Sequence, residues 1–195
     1  MTVFITRSWK SVSLALLLAT VAVLSHAGSI EPVRAAISPG EDGYVLSAEF
    51  ALDLGPRLEE AVSRGVPLYF NLEFTISRGR WYWAEEHIAG RTVVYRLAYN
   101  ALTRQYRLSV GGLHQGFESL ADALRVLSRV SALPIAERAA LKPGEAYSAA
   151  LRLSLDHNQL PKPFQVDAIV NRDWQVEAKA LRWQFTPAAQ VPDAK

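Results

Sequence analysis

Apolar and polar residues alternate with period two over several stretches of the chain, the signature of strands with one wet face. From position 44, Tyr44, Leu46, Ala48, Phe50, Leu52 and Leu54 fall on one side, and Ser47, Glu49 and Asp53 on the other. Residues 68–77 repeat the pattern, with Leu68, Phe70, Leu72, Phe74 and Ile76 against Tyr69, Asn71, Glu73 and Thr75. Tyr147, Ala149, Leu151, Leu153 and Leu155 alternate with Ser148, Arg152 and Ser154. Strands are also predicted over 92–99 and 105–110, joined by a loop of hairpin length. Leu160-Pro-Lys-Pro163 breaks the pattern, and Phe164, Val166, Ala168 and Val170 resume it. In the last segment the phase slips: Trp174, Val176, Ala178 and Ala180 belong to one set, Leu181, Trp183 and Phe185 to the next. A two-for-one bulge at Ala180 and Leu181 would return them all to one face.

Helical spacing is rarer. Leu58, Ala61 and Val62 follow the stop at Gly55-Pro56 and precede Gly65 and Pro67, which predicts one short amphipathic helix. Ser119 is a good N-cap, Asp122 occupies the capping-box position, and Leu120, Ala123, Leu124, Leu127 and Val130 form an apolar stripe. Residues 134–141 read as a further short turn or helix, and the glycines from Gly111 to Gly116 as a linker into the Ser119 helix. Strands before, between and after two or three short helices predict an α+β domain. Its sheet is antiparallel, curled or sandwich-like, with about six to eight strands. One domain is expected over 44–186, with a flexible linker over 28–43 and a disordered tail over 187–195.

The first residues read as an address. Arg7 and Lys10 precede an uncharged apolar run from Val12 to Leu24, followed by Ser25-His-Ala27. A basic start, a short apolar core and small residues before a cut are the requirements of a secretory signal, with cleavage expected after Ala27. A second possible cut lies after Ala35 or Ala36. An uncleaved anchor in the inner membrane, facing the periplasm, is the alternative to a periplasmic protein, and only it would bring membrane contact.

Charge follows from the leader. The chain carries 21 Lys and Arg against 19 Asp and Glu, and removal of Arg7 and Lys10 leaves equal numbers. No cationic surplus remains to drive counterion release on nucleic acid, so no nucleic-acid partner is expected. With no cysteine, disulfides, thiolate metal sites and a lipoprotein anchor are excluded. Stability must then come from core burial, which suits a bacterial periplasm.

Candidate chemistry is sparse. Arg78-Gly-Arg80-Trp-Tyr-Trp83 places Trp81 and Trp83 on one face of an extended segment beside Arg78 and Arg80, a possible binding surface working by stacking and cation–π contact; core burial of both rings is the competing reading. Glu85-Glu-His87 is a weaker polar cluster that offers carboxylates beside an imidazole. Asp156-His157-Asn158 reads as turn chemistry, and His114 lies among glycines lacking the pattern of a phosphate loop. No nucleophile elbow or metal box is present, and neither a metal nor another cofactor is expected. A non-enzymatic binding domain is the preferred reading. An envelope hydrolase using His87 or His157 with nearby carboxylates is the alternative.

Several motifs carry a family resemblance: Gly65-Val-Pro-Leu-Tyr-Phe70, Arg80-Trp-Tyr-Trp83, the run from Tyr95 to Leu108, Phe117-Glu-Ser-Leu-Ala-Asp-Ala-Leu124, Leu160-Pro-Lys-Pro163 and the closing segment from Trp174 to Phe185. In this order they resemble an uncharacterised family of exported proteobacterial proteins, domain of unknown function 4390. The resemblance implies a Gram-negative envelope setting and brings no catalytic residues; the partner expected of the binding domain is a protein or envelope component. It also implies a gene neighbourhood with a membrane sensor kinase of the nitrogen-regulation type, which makes an accessory role beside such a kinase a further alternative.

Overall fold

The structure, a computed structural model, describes residues 28–79, 86–165, 174 and 176–187. Among the described residues, the strands are β1 (Gly28–Pro39), β2 (Gly43–Asp53), β3 (Leu68–Arg78), β4 (Glu86–Asn100), β5 (Gln105–Val110), β6 (Leu113–Phe117), β7 (Arg129–Glu137), β8 (Tyr147–Leu155), β9 (Val176–Ala178) and β10 (Ala180–Phe185). Helix α1 (Gly55–Ser63) follows β2, and α2 (Leu120–Leu127) follows β6. They form a 4-stranded sheet in the order β7-β2-β1-β9 and a 6-stranded sheet in the order β10-β8-β3-β4-β5-β6. Only β1 and β9 run parallel; the other paired neighbours are antiparallel. The expected α+β class is met, with more strands than expected.

The inward faces are the apolar sets of the alternating stretches. Leu68, Phe70, Leu72 and Ile76 of β3 are 0% exposed, and Leu151 and Leu153 of β8 likewise. Leu46 and Phe50 of β2 belong to the same buried cluster, so one core joins both sheets. Leu58, Ala61 and Val62 of α1 and Ala123 and Leu127 of α2 are buried in it too. At the start of α2 the Ser119 hydroxyl accepts from Asp122 N at 3.1 Å and donates to Asp122 Oδ2 at 2.6 Å. Ser119 caps the helix as expected, while the Asp122 carboxylate takes up the Ser119 hydroxyl rather than its backbone N–H, so the reciprocal bond of a capping box is not made.

Several expectations need correction. The segment expected as a linker, 28–43, is mostly strand β1, which pairs with β2 from Ser29↔Asp53 to Pro39↔Tyr44. The register shifts between Pro32 and Arg34, leaving Val33 as the extra residue, 63% exposed. That bulge moves the inward set from Ile30 to Ala35 and Ile37, so no constant period marks the strand. Pro32 is tolerated because, among the described residues, β9 pairs with Gly28, Ser29 and Ile30 and nothing flanks β1 on that side beyond them. The glycine run is not a linker either: Gly111-Gly112 turns the chain between β5 and β6, with Gly111 at φ 57°. The α2 stripe ends at Leu127, and Val130 is a buried residue of β7. Residues 134–141 hold the end of β7 and a 3-10 turn, Arg138–Ala140. Phe164 falls in a helical turn at 162–165 rather than a strand.

The phase slip near the end has a different cause from the expected bulge. Ala180 and Leu181 pair regularly with Arg152 and Leu151. The chain instead changes sheets at Lys179: β9 lies beside β1 in the smaller sheet, and β10 beside β8 in the larger one. Lys179 N donates to Ile30 O at 3.1 Å, and its ammonium meets Glu31 at 2.7 Å, which pins the corner. Passing from one layer of a sandwich to the other exchanges the inward set, so alternation breaks there without a two-for-one pairing. The expectations for the leader with its cut at Ala27, for Trp81 and Trp83, for 166–170 and for the tail beyond 187 lie outside the described residues.

Truncating the buried face of β3 tests this core. Leu72→Ala is expected to cost about 2–5 kcal/mol in urea unfolding. Leu102→Ala, at a side chain 97% exposed, is expected to change stability by less than about 0.5 kcal/mol. Equal losses would contradict the assigned burial.

Candidate functional site

Among the residues expected to form a binding surface, Arg78 ends β3 with its guanidinium committed on three nitrogens. Nη2 and Nε donate to Glu86 Oε2 at 2.7 and 3.2 Å, and Nη1 donates to Glu145 Oε2 at 2.6 Å. The Tyr147 hydroxyl donates to the same Glu145 oxygen at 3.1 Å and accepts from Lys142 N at 2.9 Å. Arg78 therefore clamps the base of the β3–β4 hairpin to the segment entering β8. The two carboxylates raise its pKa, and the hydrogen bond from Arg78 leads the causes that hold the Glu145 carboxyl low. Arg80, Trp81, Trp83 and Glu85 lie outside the described residues.

The polar cluster is divided rather than assembled. The Glu86 carboxylate faces Arg78, whereas His87 pairs with Ser77 across a bulge that leaves Ile88 unmatched. The His87 ring rests on Gly90, where an added Cβ would stand 2.9 Å from its Cε1. His114 is exposed on β6. His157 Nε2 lies 3.1 Å from Trp174 O, and the Asp156 carboxylate accepts from Asn158 N, Gln159 Nε2 and Asn71 Nδ2 at 3.0, 2.9 and 3.2 Å. Those bonds, led by Gln159, lower the Asp156 pKa. This is the expected turn chemistry. Among the described residues no group of three or more His, Asp or Glu converges to hold a metal.

A second feature was not singled out in the sequence. On the outer face of the larger sheet, Thr75 and Ser77 of β3 lie beside Ala150 and Ser148 of β8, which lie beside Arg182 and Gln184 of β10. Their short side chains leave a trough of about 730 Å³ with Arg182 and Gln184 at its rim. The next strand continues the low relief with Gly90 opposite Thr75 and His87 opposite Ser77. Arg182 makes no ion pair or hydrogen bond among the described residues, nor do Arg107 and Arg152 on the same face. Glu73, opposite Arg152, is the acidic side chain of this row.

The other clefts are less open to a ligand. One of about 370 Å³ on the smaller sheet is lined by Arg34, Arg129 and Glu49. Its cations already meet Glu49, at 2.7 and 3.7 Å. Another, of about 560 Å³ around the β1–β2 turn, mixes Arg91 with Glu41, Asp42 and Glu137. The trough is where a guanidinium, an amide and hydroxyls converge without an opposing carboxylate in the lining. Its signal in sequence was the wet half of the alternating stretches, Thr75, Ser148 and Arg182, which only strand order brings together.

The Arg78 clamp has a measurable signature. Glu145 titrates below its ordinary value of 4.5, so the stability it contributes is present above the ordinary carboxylate range and is lost as pH falls through the depressed value. In Arg78→Met the Glu145 carboxyl, followed by carbon NMR, is expected to titrate higher. The stability advantage of the native chain over the variant is expected to shrink on acidification. An unmoved Glu145 titration would contradict the clamp.

No curated protein and no solved structure matches the chain. A family model does, over residues 27–184, a span that runs from the start of β1 almost to the end of β10. The chain belongs to the family described as Domain of unknown function (DUF4390).

Proposed function

We propose that this chain is an exported, non-enzymatic domain of the bacterial cell envelope that binds an acidic segment of a partner protein along the outer face of its larger sheet. The observation that carries the reading is the trough below Arg182, lined by Thr75, Ser77 and Ser148 and rimmed by Gln184. A guanidinium offers paired donors to a carboxylate, and the Thr75 and Ser148 hydroxyls and the Gln184 amide suit the polar backbone of an extended segment. Arg152, two residues along β8 from Ala150, adds a second guanidinium beside the trough, with Glu73 opposite it. Export is supported by Arg7 and Lys10 ahead of the apolar run that ends at Ser25-His-Ala27.

Two observations favour binding over catalysis. A ring nitrogen of His157 is held by a backbone carbonyl and the Asp156 carboxylate by its own turn. The Glu86 carboxylate beside His87 is paired with Arg78. Among the described residues, neither imidazole keeps a free carboxylate neighbour to orient it as a base.

Photocrosslinking in intact cells tests the proposal. A photoreactive residue at Gln184 is expected to give a light-dependent adduct with one envelope protein, weakened by Arg182→Glu and by high salt, since an exposed ion contact is screened. The same probe at Leu102, in the β4–β5 turn, is expected to give none. Adducts that ignore the charge reversal, or that form equally at Leu102, would overturn the proposed surface.

A further inference from the structure

We infer that the chain is cut between Ala27 and Gly28, and that the cut precedes the docking of β1 into the smaller sheet. The inference rests on the proposed export and adds where and when processing occurs. β1 begins at Gly28, which is buried and pairs with Val176 of β9. A Cβ added there would stand 2.5 Å from Leu54 O and 2.6 Å from Asp53 O. Those are backbone atoms of the turn entering α1, so they have no rotamer in which to retreat. Glycine at 28 is a packing requirement of the folded domain.

The next residues are held on both sides. Ser29 and Ile30 pair with Asp53 and Leu52 of β2, and with Glu177 and Ala178 of β9. A peptidase needs its substrate extended and accessible along one edge, the way a peptide adds to a sheet. In the folded domain that edge is taken on the carboxyl side of the bond. Cleavage therefore acts on the chain before β1 docks, or waits for the sheet to open.

The same contacts decide between the possible cuts. Cleavage after Ala35 or Ala36 would remove Ile30, which is 0% exposed, together with most of the β1–β2 register and the whole of β9's partner. Cleavage after Ala27 leaves the strand whole. An uncut chain would join the apolar run to Gly28 through Ser25-His-Ala27 alone, a reach of at most about 10 Å. The family match begins at the same place, residue 27.

The test uses the full chain expressed in a Gram-negative host, fractionated, and read by intact mass and N-terminal sequencing. The exported protein is expected to begin at Gly28. An exported chain that begins at Ala36 or Ile37, or that keeps its leader on a folded domain, would overturn the inference and leave export standing. An uncut chain shielded in the cytoplasm would overturn both. For the order of events, precursor diluted from urea directly onto signal peptidase in detergent is expected to be cut at least about tenfold faster than precursor refolded first, because the folded bond reacts only through opening. Equal rates would overturn the ordering. Gly28→Ala should be cut normally from the unfolded state yet give a less stable domain; unchanged stability would overturn the packing requirement.

Discussion

Burial of β3 between its neighbours and beneath the smaller sheet is the contact on which the rest of the molecule depends. Its inward residues from Leu68 to Ile76 are 0–1% exposed, and β4 and β8 flank it over most of its length, so its backbone groups are paired as well. Each buried Leu or Phe is worth roughly 2 kcal/mol of transfer free energy, and the net stability of a domain is only about 5–15 kcal/mol. A chain without cysteine has no cross-link to take the place of that burial. The core closes because sequence-distant strands contribute to it: Ile30 of β1, Leu46 and Phe50 of β2 and Leu151 and Leu153 of β8 are buried in one cluster with the inward face of β3.

From this follows the division of the surface. Alternation that sends Phe70, Leu72 and Phe74 inward sends Asn71, Glu73 and Thr75 outward, and the same holds for β8 and β10. The outer face is thus polar by construction. What distinguishes it is that short side chains meet in the middle and a guanidinium without a partner among the described residues stands at one rim. The smaller sheet answers its own arginines with Glu49.

The parts legible in the sequence were those with constant period: β2, β3 and β8, the hairpin between Asn100 and Gln105, and α2 with its Ser119 cap. β1 was hidden because the bulge at Val33 shifts its phase and because Pro32 and Pro39 read as punctuation. β6 was hidden because its residues are largely exposed and follow two glycines, so no apolar period marks it. The slip between Ala178 and Leu181 was visible, but a bulge and a change of sheet leave the same trace in one dimension. Likewise Arg78 and His87 stood out as residues, whereas the trough needs Ser77, Ser148 and Gln184 in one row. Long-range strand order, not local propensity, puts them there.

The central claim is that one cooperative core includes β1 from its first residues, since both the free outer face and the processing site follow from it. Native-state amide hydrogen exchange on the chain beginning at Gly28 measures this directly. Amides of β1 around Ile30 are expected to exchange as slowly as those of β3 and β8, through global unfolding, while β6 exchanges faster from its exposed edge. Rapid exchange throughout residues 28–37, with β3 still protected, would contradict it.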